Sequence, residues 1–314
     1  MPATRSYGVP PPEYRLPDAT HLGGIKLQVS DLDRSRSFYT EVLGLQILSD
    51  DKARIALGVP GTAGSLIELS SAPGVQPIPR NGRLGLYHFA VLVPARAALG
   101  EFVVHLAGLH VPFSSADHLV SEAIYLWDPD GLGIEVYADR KRANWRVNSG
   151  ELVMATDRLD LASLVDAAKQ GSGQFQLSAT TSHTGALDQT PFLLPRDTAM
   201  GHMHLSVGDL SLARNFYHDA LGLDAIVWSY PGAVFLSAGG YHHHLGANTW
   251  SATAPTASER DARLLEWTMV LPEQGDVRRA GLSLKNAGYD VEMDGEDRLV
   301  VDPWGTVLRL STPA

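Results

Sequence analysis

Two segments of this chain, 178 residues apart, share one sequence pattern. Residues 23–45 read GGIKLQVSDLDRSRSFYTEVLGL and residues 201–223 read GHMHLSVGDLSLARNFYHDALGL, with identity at 11 of 23 positions. GLYHFAVLVP at residues 85–94 matches RLLEWTMVLP at residues 263–272 with the same offset. Because a repeat of this length imposes one plan on both halves, the sequence predicts a duplicated protein.

Each half also contains the same order of elements twice. Alternating apolar residues such as Ile25, Leu27 and Val29 indicate a strand, which is followed by an amphipathic helix and three short strands. DPDG at residues 128–131 and DPWG at residues 302–305 form a further repeated pair and indicate turns before a last strand. We therefore predict an α+β fold of four βαβββ modules, which begin near residues 21, 85, 200 and 263.

The repeat also predicts the domain organisation. We expect an extended N-terminal arm over residues 1–20, a first domain of two modules over residues 21–140 and a second such domain over residues 200–314. Residues 141–199 are less regular, and they include a polar stretch rich in Gly, Ser and Thr. We interpret this segment as a linker or an irregular insertion.

The composition excludes several classes of protein. The 314 residues include 25 Lys+Arg, 35 Asp+Glu and no cysteine, for a net charge of −10. This charge argues against nucleic-acid and anionic-membrane partners, and no apolar run approaches the roughly 20 residues of a membrane helix. Without cysteine, a metal would be held by His, Asp or Glu. The first residues lack a secretory signal, so we expect a cytoplasmic protein.

Several longer motifs resemble a known superfamily. GLYHFAVLVP (85–94), DHLVSEAIYLWDPDGLGIEVYADR (117–140), MGHMHLSVGDL (200–210) and GGYHHHLGANTW (239–250) are similar to the two-domain catechol 2,3-dioxygenase-like group of the vicinal oxygen chelate superfamily. The superfamily includes glyoxalase I, extradiol dioxygenases and bleomycin-resistance proteins. The resemblance implies two glyoxalase-like domains whose modules pair into two open barrels. It also implies an extradiol dioxygenase that uses Fe(2+), or alternatively Mn(2+), to cleave a catechol with O2.

The resemblance further implies that metal ligands lie on the first and last strands of the modules. First-strand positions hold Gly24, His88, His202 and Glu266, and last-strand positions hold Glu68, Glu135, a residue within 242–244, and Arg309. Pairing module two with module three unites His88, Glu135 and His202, a set that suits non-haem iron. Modules one and four then lack histidine, and their charged residues predict an ion pair. The alternative metal site, within the first domain, is Glu68, His88 and Glu135.

Four further residues are candidates for catalysis. A histidine beside the metal would take a proton as the diol binds, and an ordinary pKa of about 6.5 suits that task. Strand alternation puts His244 and His242 on one face, and His244 is preferred. The resemblance implies that Tyr125, ten residues before Glu135, places its hydroxyl beside the diol. It also implies that His118, seven residues before Tyr125, is another active-site histidine.

Other residues are expected to support the site. His204 lies two residues after His202 on the same strand face and could donate a hydrogen bond beside the metal. Trp127, Trp250 and Phe89 are expected to line a pocket for a flat aromatic ring.

Three alternative functions stay open at this point. A hydroquinone-cleaving dioxygenase differs from the preferred function only in its diol. A glyoxalase-type metal-dependent isomerase or lyase would typically use four protein ligands, and a metal-free protein would only sequester a ligand in the cleft. The expected partners are a small aromatic diol and O2, with no nucleic acid or membrane, and formation of a homo-oligomer is left open.

Overall fold

All four predicted modules are present in the computed structural model, which describes residues 7–61, 64–171 and 191–313. Module one comprises β1 (His21–Val29), α1 (Leu32–Ser37, continued by a π-helical turn, Phe38–Val42), β2 (Gln46–Asp50), β3 (Arg54–Gly58) and β4 (Ile67–Ser71). Module two comprises β5 (Gly85–Leu92), α2 (Arg96–Gly108), β6 (Ser114–Asp117), β7 (Ser121–Trp127) and β8 (Gly133–Asp139).

The second half of the chain repeats this order. Module three comprises β11 (Ala199–Ser206), α4 (Leu210–Arg214, continued by a π-helical turn, Asn215–Ala220), β12 (Asp224–Val227), β13 (Ala233–Ser237) and β14 (Leu245–Asn248). Module four comprises β15 (Arg263–Val270), α5 (Gln274–Asn286), β16 (Val291–Asp294), β17 (Asp297–Val301) and β18 (Val307–Ser311). The predicted α+β fold of four βαβββ modules is confirmed.

The segment between the halves, predicted as a linker or irregular insertion, contains regular structure. It holds a 3-10 turn (Arg142–Asn144), a ribbon of β9 (Val147–Asn148) and β10 (Glu151–Leu152), and α3 (Leu161–Gly171). α3 packs on α2 at Gly100, where an added Cβ would lie 2.3 Å from the carbonyl oxygen of Leu164. Residues 172–190, most of the Gly/Ser/Thr-rich stretch, lie outside the described residues.

The described part of the predicted N-terminal arm, residues 7–20, runs beside module three. The backbone N–H of Leu16 donates to the carbonyl oxygen of Gly222 at 2.9 Å. Arg15 binds the carboxylate of Asp224 through two nitrogens, at 2.7 and 2.6 Å. The domain boundaries themselves stay a prediction. Within the described ranges, none of the helices has the length and apolar character needed to cross a membrane.

The modules pair across the two halves of the sequence. β5 of module two is antiparallel to β11 of module three at the centre of one eight-stranded sheet, the 2+3 sheet, with strand order β12-β13-β14-β11-β5-β8-β7-β6. β1 and β15 are the central pair of the other, the 1+4 sheet, with order β16-β17-β18-β15-β1-β4-β3-β2. Each sheet curls into a half-barrel. The predicted pairing of the modules is therefore confirmed.

The repeated SDL/GDL and LGL motifs begin and end the helical segments of modules one and three. Asp31 and Asp209 cap α1 and α4 by accepting hydrogen bonds from backbone N–H groups that have no partner within the helix. Gly44 and Gly222 follow the helical segments with φ angles of 78° and 101°, which residues with a Cβ rarely adopt. The chain can therefore reverse into the next strand.

The central strands of both sheets meet in one hydrophobic core. Leu27 of β1, Phe89 of β5, Met203 of β11 and Trp267 of β15 are fully buried in the same cluster. Because successive side chains on a strand point to opposite faces, the residues next to Phe89 point away from this core, into the half-barrel. The 2+3 sheet therefore has one apolar face and one face on which polar side chains can meet.

Candidate metal centre

Three neighbouring strands of the 2+3 sheet bring the predicted ligands together. β8 carries Glu135, β11 carries His202, and β5 with His88 lies between them. Nε2 of His88 lies 3.0 Å from Oε2 of Glu135, and Nε2 of His202 lies 3.2 Å from the same oxygen. The sheet therefore makes side-by-side neighbours of residues from both halves of the sequence.

This cluster fits a bound cation. One ligand atom from each residue lies within 4.8 Å of the others, and His88, Glu135 and His202 are only 5%, 2% and 1% exposed. Nδ1 of His202 and Nε2 of His204 are buried beside the cluster and, within the described residues, have no hydrogen-bond partner. A buried imidazole nitrogen without a partner is costly unless something binds it. Two imidazoles and one carboxylate are the donor set of many divalent transition-metal sites.

The surroundings hold the cluster in the ionisation states that bind metals. Burial lowers the pKa of His88 and of His202, although the neighbouring Glu135 opposes this shift. Burial alone would raise the pKa of Glu135, but charge interactions and hydrogen bonds with the two histidines hold that pKa well below its usual range. Neutral imidazoles and an ionised carboxylate are the forms that bind a metal.

A fourth position, equivalent to that of Glu135, has no side chain. In module two, Glu135 lies across from the residue two positions after His88. In module three, Gly246 lies across from the residue two positions after His202. Three of the four equivalent positions of the 2+3 sheet therefore carry candidate ligand side chains. The ring of His204 packs against the fourth, Gly246, where an added Cβ would lie 3.0 Å from it.

The equivalent positions of the 1+4 sheet hold an ion-pair network. Nε of Arg309 lies 2.7 Å from Oε1 of Glu266, and Nζ of Lys26 lies 3.0 Å from the same oxygen. Arg309 also contacts the carboxylates of Asp294 at 2.9 Å and Asp297 at 2.8 Å. The predicted ion pair is confirmed, and the guanidinium occupies the place that a cation would otherwise take.

The alternative ligand set of Glu68, His88 and Glu135 is not brought together. Glu68 lies on β4 of the 1+4 sheet, whereas His88 and Glu135 belong to the 2+3 sheet. The carboxylate of Glu68 faces Arg54 at 3.7 Å and is partly exposed. The sequence alone left this set open because Glu68 and His88 lie in modules that are adjacent along the chain. In the structure these two modules belong to different sheets.

A cavity of about 380 Å³ is lined by His88 and Glu135, two of the three predicted ligands. Its walls are mainly aromatic and apolar, and include Tyr87, Leu126, Trp127, Ile134, Met154, Tyr230, Phe235 and Trp250. Among the described residues, no lysine or arginine lines it. Its volume lies within the range of small-molecule sites, about 300–1,000 Å³. Trp127 and Trp250 thus occupy the wall where the sequence predicted them.

Phe89 and His204 differ in how they relate to this cavity. Phe89 does not line it, because it follows His88 on β5 and points to the opposite face, where its ring stacks on Tyr39 at 6.5 Å between centroids. Strand alternation in the sequence could have predicted this. His204 does line the cavity, with its ring centroid 4.9 Å from that of His88.

Tyr125 and His118 form a hydrogen-bonded pair at the cavity wall. Tyr125 lies directly across from Glu135 in the pairing of β7 with β8. Nδ1 of His118 donates to the carbonyl oxygen of Ala155 at 2.6 Å, and its Nε2 lies 2.6 Å from the hydroxyl oxygen of Tyr125. Burial raises the pKa of Tyr125 well above its ordinary value, and Glu135 adds to the rise. The hydroxyl therefore stays protonated.

The histidine run contributes a different residue to the cavity from the one predicted. His244 does not line the cavity, since its Nδ1 accepts from the backbone N–H of Ala238 at 3.1 Å and lies 3.0 Å from the hydroxyl of Ser237. His243 lines the cavity instead, with its ring centroid 4.0 Å from that of His202. Burial lowers the pKa of His243 well below its usual value.

His242 lies behind His243 and is fully buried. Its Nδ1 lies 2.7 Å from Nδ1 of His243, and its Nε2 lies 2.9 Å from Oδ1 of Asp139. The alternation argument failed because the run precedes β14 in a loop, after Gly239 and Gly240 with φ angles of 62° and 63°. The two consecutive glycines were the signal in the sequence that a strand does not extend through the run.

Comparisons with known proteins agree with this fold. The family model of the Glyoxalase/Bleomycin resistance protein/Dioxygenase superfamily matches residues 21–136 and 199–299. A protein of Bacillus subtilis (strain 168) named catechol-2,3-dioxygenase is 40% identical over 288 residues, which cover 90% of this chain and 94% of that protein.

Solved structures show the same architecture. A putative dioxygenase from Bacillus subtilis superimposes with a TM-score of 0.59 at 15% identity, over 96% of this chain and 87% of the other. Glyoxalase I from Zea mays superimposes with a TM-score of 0.52 at 18% identity, over 93% and 92%. At these identities the structural likeness supports the fold alone. The matches over both halves of the sequence show that this chain belongs to the Glyoxalase/Bleomycin resistance protein/Dioxygenase superfamily.

Proposed function

We propose that this protein is an extradiol ring-cleaving dioxygenase that uses Fe(2+) and O2 to cleave a catechol next to its two hydroxyl groups. The observation that carries the proposal is the buried cluster of His88, Glu135 and His202 at an apolar cavity, with a glycine at the fourth equivalent position. The 40% identity to a catechol-2,3-dioxygenase over 90% of the chain supports the same reaction.

His88, Glu135 and His202 are the residues that would hold the iron. When bound there, iron(II) supplies the redox chemistry that couples a diol to dioxygen, and two nitrogen ligands and one carboxylate leave positions open for both. The same donor set accommodates Mn(2+), so the metal analysis below covers both ions. Each ligand lies on a strand, which keeps its position rigid.

The remaining polar groups of the cavity have distinct roles in this reaction. The protonated hydroxyl of Tyr125, beside Glu135, donates to an oxygen of the diol, while His118 orients that hydroxyl from behind. His243 accepts a proton that the diol loses on binding. These roles take up the predicted residues Tyr125 and His118, and they assign to His243 the function first expected of His244 or His242.

The cavity walls favour this function over the alternatives. Trp127, Trp250 and the neighbouring apolar side chains provide flat surfaces for an aromatic ring and reduce the access of water. A glyoxalase-type isomerase typically has four protein ligands, whereas Gly246 provides no fourth ligand here. A protein that only sequesters a ligand has no need for a buried trio of ligating groups.

Anaerobic metal analysis combined with oxygen uptake tests the proposal. We expect about one iron or manganese per chain in the purified protein, its loss in His202→Ala, and its retention in the matched control Glu68→Ala. Oxygen uptake should occur with catechol but not with methylhydroquinone. Oxygen uptake with methylhydroquinone but not with catechol would mean that the substrate is a hydroquinone. Bound metal without oxygen uptake on either diol would contradict the proposed dioxygenase activity. Metal retained in His202→Ala would contradict the assigned site.

A further inference from the structure

Three side chains form a continuous contact from the protein surface to the cavity. The carboxylate of Asp139 is about one-third exposed, with 30% of the side chain accessible, and its Oδ1 lies 2.9 Å from Nε2 of His242. His242 is fully buried, and its other ring nitrogen, Nδ1, lies 2.7 Å from Nδ1 of His243. His243 in turn lines the cavity beside His202. The two ring nitrogens of His242 therefore contact different neighbours, Asp139 on the surface side and His243 on the cavity side.

The hydrogen-bond chemistry of the path restricts where each proton can lie. An ionised carboxylate can only accept, so Nε2 of His242 carries the hydrogen that it donates to Asp139. In the tautomer of His242 whose one N–H is at Nε2, the Nδ1 atom is an acceptor. The short contact between the two Nδ1 atoms then requires that Nδ1 of His243 is the donor. This leaves Nε2 of His243 with a lone pair.

On the basis of the proposed function, we propose that Asp139, acting through His242, holds His243 in the tautomer whose Nε2 is the free acceptor in the cavity. Asp139 and His242 are then positioning residues, because neither lines the cavity, and His243 is the group that meets the substrate. The opposite tautomer would present an N–H to the diol hydroxyl and could not accept its proton. Orientation of one ring by a carboxylate behind it is a general device for fixing a histidine base.

The chain offers a matched control for this arrangement. The hydroxyl of Tyr241 donates to the same oxygen of Asp139 at 3.2 Å, and it also lies 2.6 Å from the hydroxyl of Tyr137. Tyr241→Phe therefore removes a hydrogen bond from Asp139 without removing the acceptor of His242. Asp139→Ala removes that acceptor, whereas Asp139→Asn keeps an acceptor oxygen at the same place.

Nitrogen-15 NMR of the histidine rings tests the tautomer independently of activity. The full chain is loaded with zinc, which is diamagnetic, and His243→Gln identifies the signals of His243. We expect Nδ1 to be protonated and Nε2 to be unprotonated in the wild type, in Tyr241→Phe and, largely, in Asp139→Asn. Asp139→Ala should give a mixture of tautomers. A protonated Nε2 in the wild type, or a single unchanged tautomer in Asp139→Ala, would overturn the proposal.

Steady-state kinetics of the iron-loaded enzyme on catechol provides the second measurement. We expect Asp139→Ala to lower kcat by about tenfold or more while KM changes by about twofold or less, with iron content unchanged. Tyr241→Phe should keep kcat within about twofold of the wild type, and Asp139→Asn should recover most of it. An equal loss in Tyr241→Phe would overturn the role of Asp139. If the tautomers behave as expected and no diol is cleaved, the proposed function fails and the tautomer assignment stands.

Discussion

The hydroxyl of Tyr39 donates a hydrogen bond of 3.1 Å to Oδ2 of Asp128. Tyr39 belongs to module one and Asp128 to the last turn of module two, so this bond joins two modules whose strands lie in different sheets. The second half repeats it, with Tyr217 donating to Asp302 at 2.7 Å. Each half of the sequence is therefore tied together by a tyrosine–carboxylate bond, while the sheets tie the two halves to each other.

Removing either hydroxyl should destabilise the fold. Tyr39→Phe and Tyr217→Phe each leave a buried carboxylate with one donor fewer, and we expect the free energy of unfolding to fall by about 1–3 kcal/mol. Urea unfolding followed by circular dichroism measures the change. The control is Tyr289→Phe, because Tyr289 is half-buried and its hydroxyl makes no hydrogen bond within the described chain. This variant should lose less than about 0.5 kcal/mol. Equal losses in all three variants would contradict a specific role for these bonds.

Asp128 should make stability fall as the pH rises. Burial raises its pKa from 3.8 to about 7, although the N–H groups of Leu132 and Asp130 oppose the shift. Between these values the folded chain holds a proton that the unfolded chain has lost, so this favourable contribution is full below pH 3.8 and is lost as the pH passes about 7. Asp128→Asn cannot ionise. The free energy of unfolding of Asp128→Asn, relative to that of the wild type, should therefore rise by roughly 2–4 kcal/mol between about pH 4 and pH 8.

Asp261 provides the control with the opposite sign. Hydrogen bonds from Arg83 lower its pKa to about 2, which outweighs the effect of burial. Its contribution to stability is therefore present above about pH 4 and is lost as the pH falls toward 2. Asp261→Asn should lose stability relative to the wild type at pH 7. Chemical unfolding across this pH range measures both variants, and a shared sign for the two would refute the assignment for Asp128.

The ion-pair network of the 1+4 sheet should stabilise the fold without binding metal. Arg309→Met leaves the mostly buried carboxylate of Glu266 with Lys26 as its remaining partner in this network, and we expect a loss of about 1–3 kcal/mol in the free energy of unfolding. The control Arg54→Met breaks a largely exposed pair with Glu68 and should cost below about 1 kcal/mol. Metal content should be unchanged in both variants. A loss of metal in Arg309→Met would mean that the 1+4 sheet, and not the 2+3 sheet, contributes to the metal site.

The cavity should select uncharged catechols. A carboxylate on the substrate would be buried against Met154, Trp250 and Phe235, with no lysine or arginine in the described lining to pair with it. We expect kcat/KM for 4-methylcatechol to exceed that for 3,4-dihydroxybenzoate by about 100-fold or more. Met154→Arg should lower this ratio of the two kcat/KM values, because it adds a cation that can pair with the carboxylate. Comparable efficiencies in the wild type would mean that a cation reaches the substrate.

The hydroxyl of Tyr125 should matter for turnover more than for metal binding. Tyr125→Phe is expected to lower kcat on catechol by about 10- to 100-fold, with one metal still bound, because the variant loses a preorganised donor at the diol. The control Tyr230→Phe also removes a hydroxyl from the cavity wall, one that lies 3.1 Å from Thr156. Its kcat should stay within about threefold of the wild type. Similar losses in both variants would argue for a general effect on the wall.

The sequence by itself determined the four modules and predicted the candidate ligand set. The repeat established the register, and histidine occurs at the first-strand position only in modules two and three, so the pairing of these modules followed from His88 and His202. The motifs that begin and end α1 and α4 act locally, through Asp31 and Gly44 and their repeats, which is why they could be interpreted without the fold. The ion pair of Glu266 with Arg309 followed from the same register.

Only the tertiary structure decided which histidine of the run meets the cavity and how the two halves are tied. His243 faces the cavity because the run lies in a loop, whose direction depends on packing against Asp139 and Phe235 and has no periodicity to predict it. The bonds from Tyr39 and Tyr217 to their aspartates join residues 89 and 85 positions apart, between elements that come together only when the chain folds. Local patterns determine strands and turns, whereas contacts between distant elements depend on the whole chain.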